Sequence, residues 1–306
     1  MRVDAVVAGE LYTDLILSGF DFWPQPGQEA FAREFRREIG GGAAITACGL
    51  GTLGTRAAVF GLVGADHCDW IAQRLAERCV SAQRLVVDAT EPTGFTVAVT
   101  APRDRAFFTY AGANRGFPQA LAEAAAAHTL DARHLHLGFA PDWGTAGQLF
   151  DDIHESGCTV SLDAGWHEPW LADARALETL GKVDIFFPNE TEAALITGET
   201  DPERMLRRFA EAGLRCVALK LGAHGAALLD GGKTTFAQPL AIMPRDTTGA
   251  GDCFDAGFLD AWLRGQPPDR CLHAGNICGG LSCEAYGGIE GFPGRDRLER
   301  EMERTP

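Results

Sequence analysis

The sequence predicts an α/β fold, a mostly parallel sheet with helices on both faces. Short apolar runs such as residues 3–8 and 57–63 have the length of buried strands. From residue 134 onward such runs alternate with amphipathic segments of helical length. No internal repeat or linker-like tract divides the 306 residues, so one domain is expected over 1–306.

Residues 3–8, ended by Gly9, read as the first strand. Residues 11–38 are less regular, with Pro24, Pro26 and Gly27 punctuating two apolar stretches. Gly40, Gly41 and Gly42 lead into a small-residue helix over 43–50, followed by a strand over 57–63 and a helix over 70–79. Residues 95–100 and 106–110 read as a hairpin about Pro102-Arg103-Asp104, and 121–128 as an alanine-rich helix. The alternating part places strands at 134–138, 159–163, 185–187 and 216–219, with helices at 145–155, 172–180, 190–196 and 202–212. A hairpin follows around Asp230-Gly231-Gly232, and two helices, 253–264 and 269–284, are expected to close the chain. The irregular pieces at 11–38 and 93–112 form an appendage in this reading.

Charge narrows the partners. The chain carries 27 basic and 42 acidic residues, a net of −15, which opposes nucleic acid and anionic membranes. A small anionic substrate needs only a local patch of donors. No apolar run reaches the roughly 18 residues of a membrane helix, and Met1-Arg2-Val3-Asp4 lacks a signal-peptide layout. Nine cysteines without a Cys-x-x-Cys pair read as reduced thiols, so a cytoplasmic location is expected. His134 and His136 share a strand face, but no third ligand has helpful spacing; they read as core or edge residues. Trp143, Trp166 and Trp170 fit aromatic packing as well as stacking on a ring.

Two matches to nucleotide motifs fail on context. Gly49-Leu50-Gly51-Thr52-Leu53-Gly54 fits G-x-G-x-x-G, but a helix precedes it and a strand follows, so it reads as a helix end. Gly232-Lys233-Thr234 looks like the end of a phosphate loop, yet the glycine required five positions earlier is Ala227. Asp246-Thr247-Thr248-Gly249-Ala250-Gly251-Asp252 is different. Gly249, Ala250 and Gly251 have almost no side-chain bulk and stand directly before an amphipathic helix. Unpaired amides of that first turn form an anion hole for a phosphoryl group. Asp252 at its rim is placed to take a proton from an attacking hydroxyl; otherwise it is a helix-terminal acid favoured by the dipole. Asp255, one turn on, reads as structural.

The same segment resembles the D-T-x-G-A-G-D signature of the ribokinase-like (PfkB-type) carbohydrate kinases. Other motifs follow in family order from residue 3 to about 293. Gly40-Gly41-Gly42-Ala43-Ala44 resembles the motif that touches the sugar, and Asp14 matches the sugar-hydroxyl aspartate. Asn189-x-x-Glu192 is similar to the motif associated with magnesium and the phosphates. Lys220-Leu221-Gly222-Ala223-His224-Gly225 looks like the turn beside the nucleotide, and Asn276 and Gly287-Gly288 fall where the family borders the adenine.

The resemblance implies a three-layer sandwich with a small β lid, the lid being 11–38 and 93–112. It implies ATP with Mg2+, with Glu192 and Asn189 positioning the metal's waters, and K+ at Asp246, Thr248 and Gly287. It implies Asp252 as general base, Gly249 to Gly251 as the anion hole, Asp14, Gly41, Gly42 and position 45 at the substrate, and Asn189, Lys220, Gly222, Gly225 and Asn276 at the nucleotide. Pairing of lids implies a homodimer. Two departures concern the substrate: Ile45 stands where asparagine is usual, and Asp163-Ala164-Gly165-Trp166-His167 lacks the asparagine and arginine of D-x-N-x-R. The reading is an ATP-dependent kinase acting on a hydroxyl of a small sugar or sugar-like metabolite. Its alternatives are a nucleoside kinase of the same fold and a non-catalytic ligand-binding relative.

Overall fold

The computed structural model describes residues 2–101 and 104–304. Its main sheet holds β1 (Val3–Ala8), β4 (Ala57–Gly64), β5 (Ser81–Asp88), β8 (Ala132–Leu137), β9 (Thr159–Leu162), β10 (Ile185–Phe186), β11 (Cys216–Lys220), β12 (Ala226–Asp230) and β13 (Lys233–Ala237). The order across the sheet is β13-β12-β11-β10-β9-β8-β1-β4-β5. Pairings from β5 to β11 are parallel, and only the β12 and β13 pairings are antiparallel. Strand order reverses direction between β1 and β8, and in such sheets the crevice at the carboxyl ends of the strands receives ligands.

Side-chain alternation divides the core between the two faces. Ala5 and Val7 of β1 pack with α1 (Gly42–Thr52), α2 (Cys68–Ala76), α9 (Ala250–Leu263), α10 (Pro268–Ser282) and α11 (Arg295–Arg304). Val6 and Ala8 join the core formed with α3 (Phe117–Ala126), α4 (Ala146–Glu155), α5 (Glu168–Leu171), α6 (Ala176–Leu180), α7 (Glu190–Thr197) and α8 (Pro202–Glu211). Burial on both faces is why the central strands are continuous apolar runs in the sequence.

A second sheet, the lid, has the order β3-β2-β6-β7. It comprises β2 (Tyr12–Ser18), β3 (Glu34–Gly40), β6 (Phe95–Ala101) and β7 (Asp104–Tyr110), from the two irregular segments noted in the sequence, with β3 running two residues past the first. The β2–β3 and β6–β7 pairings are antiparallel, and β2–β6 is parallel. Arg74 of α2 grips Glu38 of β3 at 2.6 Å, and the Arg37 guanidinium lies 4.3 Å from the Trp70 ring centre. These contacts fasten one edge of the lid to the main body. The expected hairpin turn falls partly on Pro102 and Arg103, outside the described residues.

Three expectations need correction. A third helix, α11, follows the two expected to close the chain; its sequence is almost wholly charged and buries only Leu298, so no apolar stripe announces it. The edge strand β5 was not anticipated, because it has one neighbour and its residues are mostly half-exposed. The helix expected over 172–180 forms only at its end, as α6, with a separate short helix, α5, just before the expected start. Between them Asp173 accepts a hydrogen bond from the Arg175 backbone N–H at 2.9 Å, a local turn that competes with helix. Trp143 and Trp170 stack on each other 4.2 Å apart, whereas Trp166 is 63% exposed. Among the described residues no helix is long and apolar enough to cross a membrane.

Candidate active site

Small residues bring two helix starts together at the carboxyl ends of the strands. Gly41 caps α1 with φ 95°, and Gly249 caps α9 with φ 73°, both left-handed values that favour glycine. A β-carbon on Gly42 would collide with Asp252 Oδ1, so the bare backbone of Gly42 lets α1 start against the first turn of α9. A β-carbon on Gly40 would likewise collide with the Asp14 carboxylate. Asp14 and Asp252 therefore flank one three-glycine corner. The N–H of Gly251 lies in the first turn of α9, where the helix offers no acceptor.

The carboxylates here are poised differently. Burial and then Asp163, opposed by Lys220, push Asp252 up to about 7. Burial and then the facing Glu38 push Asp14 up to about 6. Asp14 and Glu38 are direct partners across β2 and β3, so they share one face of the lid. Such acidic groups suit hydroxyl donors. Glu10, beside the Gly41 turn, accepts a hydrogen bond from Tyr12 Oη at 2.5 Å.

Asn189 and Glu192 form a complete capping box at the start of α7. Glu192 accepts from the Asn189 backbone N–H at 2.9 Å and from Asn189 Nδ2 at 2.7 Å, while Asn189 Oδ1 accepts from Glu192 N–H at 2.9 Å. Burial raises the Glu192 carboxyl above its usual range. No group of three acidic, histidine or cysteine side chains able to hold a metal occurs among the described residues. A fixed carboxylate without a cage suits a hydrated magnesium carried by phosphates, since that ion keeps several waters.

Asp246 Oδ1 accepts from Thr248 N–H at 3.0 Å and from Thr248 Oγ1 at 2.7 Å, and its Oδ2 accepts from Gly287 N–H at 3.0 Å. The three residues expected around a monovalent cation thus form one hydrogen-bonded loop. Ile45 is buried, with Cδ1 2.9 Å from where a Gly249 β-carbon would stand and against Gly288 as well. It packs beneath the anion-hole loop. Gly222 and Gly225 form the turn after β11, closed by Leu221 N–H donating to Gly225 O at 2.9 Å. Asn276 on α10 donates to the Gln238 carbonyl at 2.5 Å, tying that helix to the stretch after β13.

Lys220 has partners that sequence reasoning missed. Its Nζ donates to Asp163 Oδ2 at 2.7 Å and to Asp255 Oδ1 at 3.2 Å. The side chain is thus held between Asp163, after β9, and Asp255 of α9. The signal in the sequence was the aspartate opening the altered D-x-N-x-R element.

The pfkB family carbohydrate kinase pattern matches residues 4–295. The chain belongs to that family. A pfkB carbohydrate kinase of this kind is an ATP-dependent phosphotransferase. The chain is 28% identical over 313 residues to 2-dehydro-3-deoxygluconokinase of Bacillus subtilis (strain 168), covering 97% of this chain and 95% of that one. It is 30% identical over 289 residues to an ATP-dependent ribose-1-phosphate kinase of Halopiger xanaduensis, covering 93% of each. The structure of Arabidopsis thaliana ribokinase complexed with ribose and ATP superposes with a TM-score of 0.86, at 26% identity and 99% coverage of both chains. The pfkB fold thus accounts for both sheets, the main one and the lid.

Proposed function

We propose that this pfkB kinase phosphorylates a neutral polyhydroxy compound, a small sugar or sugar-like metabolite, with Asp252 as general base. The observation that carries the reading is the placement of Asp252 against Gly42 in the first turn of α9, beside the Gly249 to Gly251 amides. The base takes the proton as the hydroxyl attacks the γ-phosphate, and the amides hold the charge developing on the transferred group. Asp14, Gly41 and Gly42 receive the substrate, and Ile45 acts on it through the loop it supports. Asn189, Gly222, Gly225 and Asn276 receive ATP. Magnesium supplies charge neutralisation at the phosphates when bound, with Glu192 and Asn189 ordering its waters. The loop of Asp246, Thr248 and Gly287 takes a potassium ion in this reading, checked by comparing rates in potassium with rates in a bulky organic cation.

The acidic face of Asp14 and Glu38 supports neutral substrates over sugar acids, as does His167 in place of an arginine. The lid's other face exposes Phe35 (62%) and Phe108 (61%), apolar surface suited to a second lid in a homodimer. Sedimentation of the intact chain tests the dimer. The function itself is tested by ATP consumption against pentoses, hexoses, sugar acids and nucleosides. Turnover restricted to neutral sugars is the expected result. A preference for sugar acids would overturn the substrate assignment, and tight sugar binding without turnover would favour a non-catalytic relative.

A further inference from the structure

The mechanism above leaves a buried polar network unused. Lys220 ends β11 and reaches under the first turn of α9, its Nζ 3.4 Å from where a Gly251 β-carbon would stand. Asp163, the first residue after β9, and Asp255, one turn beyond Asp252, hold it from either side. Behind them lies a chain of neutral groups. His136 Nε2 is 4.0 Å from Asp255 Oδ2, and His136 Nδ1 is 2.8 Å from Ser161 Oγ. Ser161 Oγ is 2.7 Å from His134 Nε2, and His134 Nδ1 is 2.8 Å from Thr159 Oγ1. Burial pushes His136 down to about 4 and His134 to about 3, so both rings are uncharged at neutral pH.

Charge on this network is simple. Burial raises the Asp255 carboxyl well above its usual range, against the pull of Lys220. Burial opposes the charge on Asp163 too, but Lys220 and hydrogen bonds outweigh it and hold that carboxyl at about 2. Burial disfavours the Lys220 ammonium, and Asp163 with Asp255 outweighs it. A largely buried ion pair, Lys220 with Asp163, therefore stands behind the anion hole. Keeping two charges there is costly unless close geometry and further hydrogen bonds offset their desolvation, as the Asp255 and Gly165 contacts do here.

We propose that Lys220, gripped by Asp163 and Asp255 beneath the first turn of α9, is a positioning residue whose fixed cation favours the ionised, catalytic form of Asp252 against the groups that oppose it and backs the anion hole. This rests on the reading of Asp252 as the base. The groups facing Asp252 are Lys220 from β11, Asp163 from the end of β9, Glu192 from α7 and Asp255 from its own helix. Of these, Lys220 alone favours the anion. The two members of the ion pair thus act on Asp252 with opposite sign.

The test is the pH dependence of kcat/KM for Lys220→Met and Asp163→Asn, with unfolding temperature recorded for each. Lys220→Met should move the ascending limb up by about one pH unit and lower kcat by roughly tenfold or more, with KM for ATP within a few-fold. Asp163→Asn should move the same limb down. A packing role alone predicts no movement, or movement in one direction for both variants, and either result overturns the proposal. Where Lys220→Met does not fold, Asp163→Asn alone decides: a limb that stays or rises sinks the idea. Asp252→Asn separates the two readings. Near-parental turnover in Asp252→Asn removes the base itself, whereas an inactive Asp252→Asn with unmoved limbs in the other variants removes only Lys220.

Discussion

Gly42 and Asp252 meet closely: the space a β-carbon would need on Gly42 is filled by Asp252 Oδ1. Gly42 opens α1 and Asp252 sits in the first turn of α9, so the contact sets the distance between two helix starts. Gly42→Ala should displace the carboxylate while leaving the core intact. A misplacement of about 1 Å costs about 10²-fold in rate, and a loss of that order in kcat is expected. Steady-state kinetics with a thermal melt distinguishes this from unfolding.

Asp14 faces Glu38 on the lid, and Gly40 makes room for its carboxylate. A hydrogen bond to a charged group contributes about 1.5–3 kcal/mol, so Asp14→Asn should lower kcat/KM for the sugar by roughly 10- to 100-fold. The loss should fall mainly on KM for the sugar, with KM for ATP nearly unchanged. Equal losses on both substrates would place Asp14 in the fold rather than at the substrate.

The Asp246 to Asp252 segment was legible because it concentrates small residues before an amphipathic helix, and the structure starts α9 at Ala250. The lid was legible only as irregularity, since two of its strands come from each of two separate segments. Lys220 and Asp163 stand 57 residues apart, and nothing local in either segment reports that their side chains meet. Ile45 shows the opposite limit. Its position was identified by comparison with a motif, but its side chain packs against Gly249 and Gly288, a contact that spacing does not encode. Local chemistry is written in the sequence; the pairing of strand ends across a parallel sheet is set by topology.

Asp252→Asn tests the base directly. The amide keeps the shape but cannot take a proton, and a general base contributes about 10²–10⁴-fold. A fall in kcat of that size is expected, with nucleotide affinity within a few-fold of the parent, because the anion hole is backbone. Isothermal titration with ATP alongside kinetics supplies both readings.

The raised Asp252 carboxyl also predicts two opposed pH effects. Catalysis needs the anion, so kcat/KM should rise with pH through about 7, the value to which burial lifts this group. Stability runs the other way. The unfolded chain releases this proton near 3.8, whereas the folded chain keeps it to about 7, so folding binds a proton between those values. The stabilisation is fully present below the unfolded value and is lost as pH rises through the folded one. Above that point the parent folds with an ionised carboxylate in a largely desolvated corner. Asp252→Asn removes the ionisation, so its melting temperature relative to the parent should climb as pH goes from 5 to 8. Melts of both proteins across that range check the sign. A gap that stays constant with pH would mean that Asp252 ionises as readily in the fold as in the open chain, and its activity could then no longer be limited by protonation near pH 7.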